Sequence, residues 1–447
     1  MPLAIPSDLK SLLHAGLWRS FGSLGIKVAT AGLTYITYVV LSRTQTPDEY
    51  GHFAFGLALA TVLAILAGAG QPLAVIRLWA EQRGRGDVAA ARATIASGST
   101  ITMGASLVVS ALLCLAAMLY LPFVPPGDTA NHLFGAALII LPLALAEYNS
   151  SALRAQGSLW TALLPRDIFW RLALPAAVLI LFYFGQILSG PDALALSAAL
   201  LLAVLALQML AASQRGYVIW PRLAPVGAHW RNWGRLSIWL LLGALIETIA
   251  LNADVILVGL LLDLENAGLY FNAFRTAGLM TLFTFAIELV IAPMVAEHYH
   301  AKNLRKAQAI TALCAWAGFV FSLAIFAGFA AFGTEILGLF GPSYAEGWLI
   351  LILLSFGLLF DAITGPSKIV MMMTGHERAY VVLFGSITLV GLAVQIAIIP
   401  LFGIVGAALT NMGARIIAQI AIALYCRYRI GLDTTILGIF VIPKPAA

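Results

Sequence analysis

Hydrophobic residues in this chain form long runs separated by short polar stretches, with no sustained alternation of polar and apolar positions. A window of about 19 residues, the length used to detect membrane spans, separates these runs into candidate segments. Twelve segments are long enough: 21–43, 54–79, 97–121, 133–155, 167–187, 193–212, 236–262, 269–296, 308–332, 347–373, 380–401 and 403–426. The pattern therefore predicts an all-α polytopic membrane protein with twelve transmembrane helices.

The composition agrees with this prediction. The chain has 447 residues, of which 61% are hydrophobic and only 10% are charged, whereas soluble domains are about 25% charged and about 45–50% apolar. A water-soluble globular protein is thereby excluded. The first apolar run is also too long for the hydrophobic core of a cleaved signal peptide, so we expect it to remain as the first span.

Charged residues divide between two sets of connections, and this division predicts the orientation. Basic residues, which are enriched in cytoplasmic loops, occupy every second connection: Arg83, Arg85, Arg92, Arg166, Arg215, Arg222, Arg231, Lys302, Arg305, Lys306, Arg378, Arg427, Arg429 and Lys444. The opposite connections carry acidic residues: Asp48, Glu49, Asp128, Asp192, Asp263, Glu265, Glu335 and Glu346. We predict that both termini are cytoplasmic, and the net charge of +5 then reflects topology rather than a nucleic-acid partner.

The two halves of the chain share landmarks at one offset. Gly51 follows the first span and Gly268 follows the seventh, 217 positions later. Two further pairs of helix ends have similar offsets: 79–81 with 295–297, and 156–157 with 374–375. Two like-oriented halves are typical of transporters whose substrate path lies between the halves. We predict a six-helix lobe over 1–215, an interfacial linker over 216–235 and a second six-helix lobe over 236–447.

Several stretches near these landmarks carry a resemblance to a known family. They are Leu41-Ser42-Arg43, Pro47 to Gly51, Ala74 to Arg77 with Ala80-Glu81, Ala152 to Gly157, Asn252-Ala253-Asp254 and Ala267 to Tyr270. On these residues the chain resembles the polysaccharide-export branch of the multidrug/oligosaccharidyl-lipid/polysaccharide (MOP) flippase superfamily. The resemblance implies a flippase of the bacterial cytoplasmic membrane that moves an undecaprenyl-pyrophosphate type of lipid-linked oligosaccharide by alternating access. Exopolysaccharide, capsule or O-antigen synthesis would use it, with the polymerase and glycosyltransferases of that pathway as further partners.

Ionisable residues inside the spans are the candidate functional residues, because a charge in the bilayer is costly and usually faces a cavity. For binding the pyrophosphate, the candidates are Lys27, Arg77, Arg154, Arg275, Lys368 and Arg415. For coupling or gating, they are Glu147, Glu247, Asp254 and Asp361. The alternative is that these residues form structural ion pairs or extend to the headgroups.

Spacing relates four of these residues. Glu147 and Arg154 are seven residues apart, as are Asp361 and Lys368 in the equivalent span of the second half. Residues seven apart lie on one helical face, about 10 Å apart. We therefore expect each helix to present a carboxylate and a cation in the same direction. The Gly365-Pro366 pair lies between Asp361 and Lys368, where a break could open backbone groups to a cavity.

Two other acidic residues have predicted partners. Asp167 lies four residues before Arg171, so we expect these two side chains to neutralise each other at a helix end. The predicted span that contains Asp254, 236–262, has no basic residue. Asp254 is therefore either a coupling or gating group, or a structural partner of Arg275 or of another arginine.

Sequence signatures of catalysis are missing from the chain. It contains no phosphate-binding loop ending in Gly-Lys-Ser/Thr, no His-Glu-x-x-His and no cysteine pair at metal-ligand spacing. The longest outer connection has only 16 residues (333–348), which argues against a membrane glycosyltransferase or polymerase. We expect a transporter rather than an enzyme, without a bound cofactor and with possible coupling to H⁺ or Na⁺. A cation-coupled multidrug exporter of the same superfamily is the alternative, although its cavity should be dominated by acidic residues.

Overall fold

The computed structural model describes residues 7–123, 130–221 and 230–440, which are helical nearly throughout and contain no β-strand. Their α-helices are α1 (Ser7–Thr44), α2 (Pro47–Ala67), α3 (Gln71–Gly84), α4 (Val88–Tyr120), α5 (Asn131–Ala155), α6 (Leu159–Leu164), α7 (Trp170–Tyr183), α8 (Gly190–Gln214), α9 (Trp230–Leu261), α10 (Leu264–Ala277), α11 (Thr281–His300), α12 (Leu304–Gly338), α13 (Trp348–Thr364), α14 (Ser367–Met373) and α15 (Glu377–Tyr425). The predicted all-α fold class is therefore confirmed. Helix α9 begins inside the predicted linker 216–235, of which residues 222–229 lie outside the described residues.

Within the described ranges, nine helices are long and apolar enough to cross a membrane, or ten if the bent pair α10 and α11 forms one span. One of the nine, Glu377–Ile430, covers 54 residues and includes two of the predicted spans. The chain is a multi-pass membrane protein. The count of twelve spans and the cytoplasmic position of both termini stay predictions.

Four of the predicted spans are interrupted. The eighth is divided between α10 and α11 by the 3₁₀ turn Gly278–Met280. The second span is divided between α2 and α3, where Ala69 and Gly70 have φ of 48° and 71° and Pro72 lies in the first turn of α3. The fifth contains a π-helical turn at Pro165–Phe169 between α6 and α7. The tenth ends at Thr364 and resumes at Ser367. Gly70 and Gly365 have positive φ, which glycine adopts readily, and a proline follows each of them closely. Proline alone does not interrupt a helix here, because Pro142, Pro175 and Pro293 lie inside α5, α7 and α11.

Side-chain caps fix where several helices begin. Asp87 Oδ1 accepts from the backbone N–H of Ala90 at 2.8 Å before α4, and Asp263 Oδ1 accepts from Asn266 N–H at 2.7 Å before α10. Such caps satisfy backbone donors that have no partner within the helix. The short polar connections of the sequence thus carry the signals that start the next helix.

The chain divides into two compact units. Unit 1 comprises Met1–Thr44 and Ala60–Ala244, and unit 2 comprises Gln45–Leu59 and Leu245–Ala447. In unit 1, the fully buried Tyr148 of α5 donates its hydroxyl to the carbonyl of Ile95 in α4 at 2.6 Å. The lobe boundaries predicted at 215 and 236 stay a prediction.

In unit 2, the glycines that mark the internal repeat pack directly on each other. A Cβ placed on Gly268 would lie 3.2 Å from the Cα of Gly51, and a Cβ on Gly51 would overlap the backbone carbonyl of Leu264. Small residues allow helix backbones to approach this closely in membranes. Beside this contact, the buried Tyr50 hydroxyl donates to Asn272 Oδ1 at 2.5 Å.

Candidate functional site

In unit 1, charged side chains gather around the π-helical turn that precedes α7. Arg166 Nε donates to Asp167 Oδ1 at 2.9 Å, and Arg166 Nη1 also forms a close ion pair with Glu147 of α5. Arg171 Nη1 lies farther from Asp167 Oδ1, at 3.8 Å. The predicted Asp167–Arg171 pair therefore exists, but Arg166 is the nearer partner.

The first helix holds this turn in place through threonine hydroxyls. Thr34 Oγ1 accepts from Arg171 Nε at 2.5 Å, and Thr30 Oγ1 donates to the Asp167 carbonyl at 3.3 Å. A π-helical turn contains one more residue per turn than an α-helix and is frequent at functional sites. Here it directs two consecutive side chains, Arg166 and Asp167, into the same polar cluster.

Two cations of unit 1 have no carboxylate at hydrogen-bond distance in the described ranges. Lys27 Nζ lies 4.0 Å from Asp167 Oδ2, and that oxygen has no hydrogen-bond partner although it is buried. Arg154 donates to the Ser150 carbonyl at 3.3 Å and to Ser151 Oγ at 3.0 Å, both within its own helix. Arg154 has no carboxylate within 4.0 Å in the described ranges. Both cations can therefore bind a further anion.

In unit 2, two candidate cations are paired with candidate carboxylates. Lys368 Nζ donates to Glu247 Oε1 at 2.6 Å, and Arg415 Nη1 donates to Asp361 Oδ2 at 2.6 Å. The predicted common face of Asp361 and Lys368 is wrong, because the helix breaks between them. Gly365 has a φ of 66° and a ψ of −162°, so Asp361 belongs to α13 and Lys368 to α14. The two residues take partners from α15 and α9 instead.

Asp254 of α9 is buried and surrounded by neutral donors. Its Oδ2 accepts from the Tyr270 hydroxyl at 2.8 Å and from Asn411 Nδ2 at 2.6 Å, while its Oδ1 accepts from Gln395 Nε2 at 3.0 Å. No cation lies within 4.0 Å of this carboxylate in the part of the chain that the structure describes. A small pocket adjoins it, and Arg415 lines that pocket too.

Arg275 has no carboxylate partner in the described ranges either. Its guanidinium donates to Asn252 Oδ1 at 3.0 Å and lies over the Phe271 ring, 4.8 Å from the ring centroid. The alternative that Arg275 neutralises Asp254 is therefore wrong. The Nε of Arg275 is buried without a hydrogen-bond partner. Arg275 is thus a half-buried cation without a counter-charge.

The remaining sequence candidate, Arg77, is exposed on α3 and makes no ion pair in the ranges that the structure describes. Sequence reasoning assigned Arg166 to an inner connection and did not single out Tyr270, Gln395 or Asn411. The tyrosine lies in a repeat motif, which is the signal that could have identified it. Within the described residues, no group of three or more His, Cys, Asp or Glu side chains could hold a metal ion.

Comparisons with known proteins identify the family and the fold. The sequence profile of the family described as "Polysaccharide biosynthesis protein" matches residues 17–299. No curated protein sequence matches the chain significantly.

Solved structures of MOP superfamily transporters share the fold. A multidrug resistance MATE family transporter in an inward-facing conformation has a TM-score of 0.74 at 15% identity, covering 90% of this chain and 94% of that chain. The lipid II flippase MurJ in an inward closed conformation has a TM-score of 0.67 at 15% identity, covering 90% and 87%. A MOP superfamily transporter from Pyrococcus furiosus, whose binding pocket is described as having reverse polarity, has a TM-score of 0.57 at 17% identity, covering 91% and 96%.

Proposed function

Because this chain belongs to the polysaccharide biosynthesis protein family, we propose that it is a flippase for an undecaprenyl-pyrophosphate type of lipid-linked oligosaccharide. The proposed mechanism is alternating access, in which the headgroup is taken from the cytoplasm and the glycan is released outside. The proposed location is the bacterial cytoplasmic membrane, where the product would serve exopolysaccharide, capsule or O-antigen synthesis. It acts as a transporter rather than as an enzyme.

The observation that carries this proposal is the set of cations without close carboxylate partners. Arg154 and Arg275 have no carboxylate within 4.0 Å in the described ranges, and Lys27 has only Asp167, at 4.0 Å. A charge in an apolar helix with so little compensation is costly. A doubly charged pyrophosphate supplies the missing counter-charge, and charge-assisted hydrogen bonds to phosphate are among the strongest in proteins. Lys27 and Arg154 in unit 1 and, separately, Arg275 in unit 2 are therefore each proposed to contact the headgroup during transport. Arg77, exposed on α3, is proposed to attract the headgroup before it enters.

The paired residues are proposed to act as gates. In this proposal Lys368 and Arg415 exchange their carboxylates, Glu247 and Asp361, for substrate phosphate during transport. Glu147, held by Arg166, is proposed to exchange partners in the same way in unit 1. Each exchange keeps the cation paired, and the released carboxylate then needs water or a proton in place of its cation.

Asp254 is the proposed coupling residue. Its carboxylate is surrounded by neutral donors. A carboxylate with amide and hydroxyl neighbours can bind either H⁺ or Na⁺. Binding of either ion changes the charge of this site by one unit. An ion gradient across the membrane can thereby drive the transport cycle without a nucleotide.

The test uses proteoliposomes loaded with a fluorescent undecaprenyl-pyrophosphate oligosaccharide. We expect the wild type to translocate this lipid, and Lys27→Ala and Arg275→Ala to reduce the rate. Arg85→Ala is the matched control, because Arg85 is an exposed arginine just after α3 that pairs with the partly exposed Glu81 of that helix at 2.7 Å. Efflux of a cationic dye by the wild type, without lipid translocation, would replace this proposal with that of a cation-coupled multidrug exporter, which the likeness to the MATE fold also supports.

A further inference from the structure

The segment that follows the last helix is buried against the helix break between α13 and α14. We define residues 431–440 as the C-terminal strap. Its residues Leu432 and Thr434 are fully buried, and Asp433 is 3% exposed. A connection of this kind normally lies on the surface, so its burial calls for a structural reason.

The strap occupies the space that the helix break creates. A Cβ on Gly365 would overlap the backbone carbonyl of Thr434 and would lie 2.8 Å from the Cβ of Ala315. The Ser367 hydroxyl donates to the Thr364 carbonyl at 2.9 Å, and Thr434 Oγ1 lies 2.6 Å from the same Ser367 oxygen. The strap therefore adds one side-chain hydrogen bond, between Thr434 and Ser367, at the first residue of α14.

A glutamine on α12 clamps the strap from the other side. Gln308 Nε2 donates to the carbonyls of Asp433 at 2.7 Å and of Gly438 at 3.0 Å, and Gln308 Oε1 accepts from Asp433 N–H at 2.9 Å. Two turns farther along α12, Trp316 Nε1 donates to the Ile436 carbonyl at 2.9 Å. Every polar atom of the Gln308 amide is thus engaged by the strap.

Unit 1 contains the same kind of clamp at the equivalent place in its sequence. Gln156 Nε2 donates to the Val218 carbonyl at 2.8 Å, and Val218 N–H donates to Gln156 Oε1 at 2.9 Å. Val218 follows the last helix of its own half, 215 residues before Asp433. The two glutamines belong to different positions of the repeat, so only the bound segments, and not the glutamines, occupy equivalent places in the two halves.

Helix α14 has only seven residues, and a helix this short does not hold its position without tertiary contacts. Its second residue is Lys368, which directly follows the strap-bound Ser367. We propose that the C-terminal strap positions Lys368 opposite Glu247, with Gln308 and Thr434 as positioning residues. This inference extends the function proposed above, but the geometry on which it depends does not require any particular substrate.

The test compares the two span lysines within the same molecule. Lys368 and Lys27 have nearly equal side-chain exposure, 38% and 39%, but only Lys368 has a carboxylate at hydrogen-bond distance. Trace acetylation of the purified full chain with acetic anhydride, followed by mass spectrometry, gives the ratio of their reactivities. We expect Glu247→Gln to raise the Lys368/Lys27 ratio about tenfold, the effect of losing one strong hydrogen bond.

Substitutions in the strap should raise the Lys368/Lys27 ratio as Glu247→Gln does. Thr434→Val keeps the volume and removes only the hydroxyl, so it should fold and raise the ratio, while Thr434→Ser should restore the wild-type value. Gln308→Ala should raise the ratio further. Gln156→Ala, which breaks the matching clamp in unit 1, should leave the reactivity of Lys368 unchanged.

A transport measurement distinguishes the positioning role of the strap from the proposed flippase function. In the translocation assay, Thr434→Val should raise the apparent KM and leave kcat unchanged, with no added effect in a Lys368→Ala background. An unchanged Lys368/Lys27 ratio in Thr434→Val would overturn the positioning role. A raised ratio without any lipid translocation by the wild type would support the strap and refute the flippase.

Discussion

Arg275 and Arg415 are half-buried arginines of unit 2, but of these two only Arg415 has a carboxylate partner in the described ranges. Replacing each of them by methionine therefore distinguishes an effect on transport from an effect on stability. Arg275→Met loses a hydrogen bond to Asn252 and a cation–π contact with Phe271. These losses are about 1 kcal/mol each. They are offset because an uncompensated cation no longer has to be desolvated. We expect a net change in the free energy of unfolding within about 1 kcal/mol.

Arg415→Met should behave differently, because it leaves the Asp361 carboxylate without its cation. Removal of one partner of a buried pair costs about 3–5 kcal/mol. The side chains of Arg415 and Asp361 are 20% and 22% exposed, so we expect the lower end of that range. Arg415→Met with Asp361→Asn should recover most of this loss.

Thermal unfolding of the purified variants in detergent measures the stability, and lipid translocation in proteoliposomes measures the function. Loss of one charge-assisted hydrogen bond to phosphate, about 1.5–3 kcal/mol, corresponds to a decrease of about tenfold or more in the rate at low substrate concentration. Arg275→Met should therefore lose transport with little loss of stability. Equal destabilisation by the two methionine variants, or normal transport by Arg275→Met, would refute the assignment of Arg275 to the headgroup.

Three further outcomes are expected from single substitutions. Gly51→Ala places a methyl group against the Leu264 carbonyl and should lower the free energy of unfolding by about 1–3 kcal/mol, seen as a lower melting temperature in detergent. Tyr148→Phe removes the 2.6 Å hydrogen bond to Ile95 and should lower it by about 1 kcal/mol, with transport retained. Asp254→Asn should abolish the response of translocation to an imposed H⁺ or Na⁺ gradient, and a response that persists would assign coupling to another group.

The sequence predicts those parts of the fold that depend on local chemistry. Runs of apolar residues locate the spans, and the common offset of the repeat identifies Gly51 and Gly268 as related positions. Their direct contact could not be predicted, because it depends on how distant helices pack. A Gly-Pro pair indicates a break at 365–366, whereas the break at Ala69 requires left-handed backbone at an alanine, which composition does not indicate.

The sequence predicts which charged residues belong to the candidate site, but it does not predict which of them form ion pairs with each other. A charge in an apolar run identifies Glu247, Arg275 and Lys368 from the sequence, since such charges are costly wherever they point. Partners depend on the rotation of each helix about its axis, and the break before Lys368 changes that rotation. Neutral partners such as Asn411 are missed because an amide in a membrane helix is far less costly than a charge.

The strap has a consequence for the biogenesis of the protein. Ser367 and Thr434 are 67 residues apart, and translation proceeds at about 5–20 residues per second. Ser367 is therefore synthesised roughly 3–13 s before the residue that binds its hydroxyl. During that interval Glu247, which is already synthesised, is available to Lys368, but the strap is not. The contact between the strap and α14 is thus completed only after residue 434 has left the ribosome.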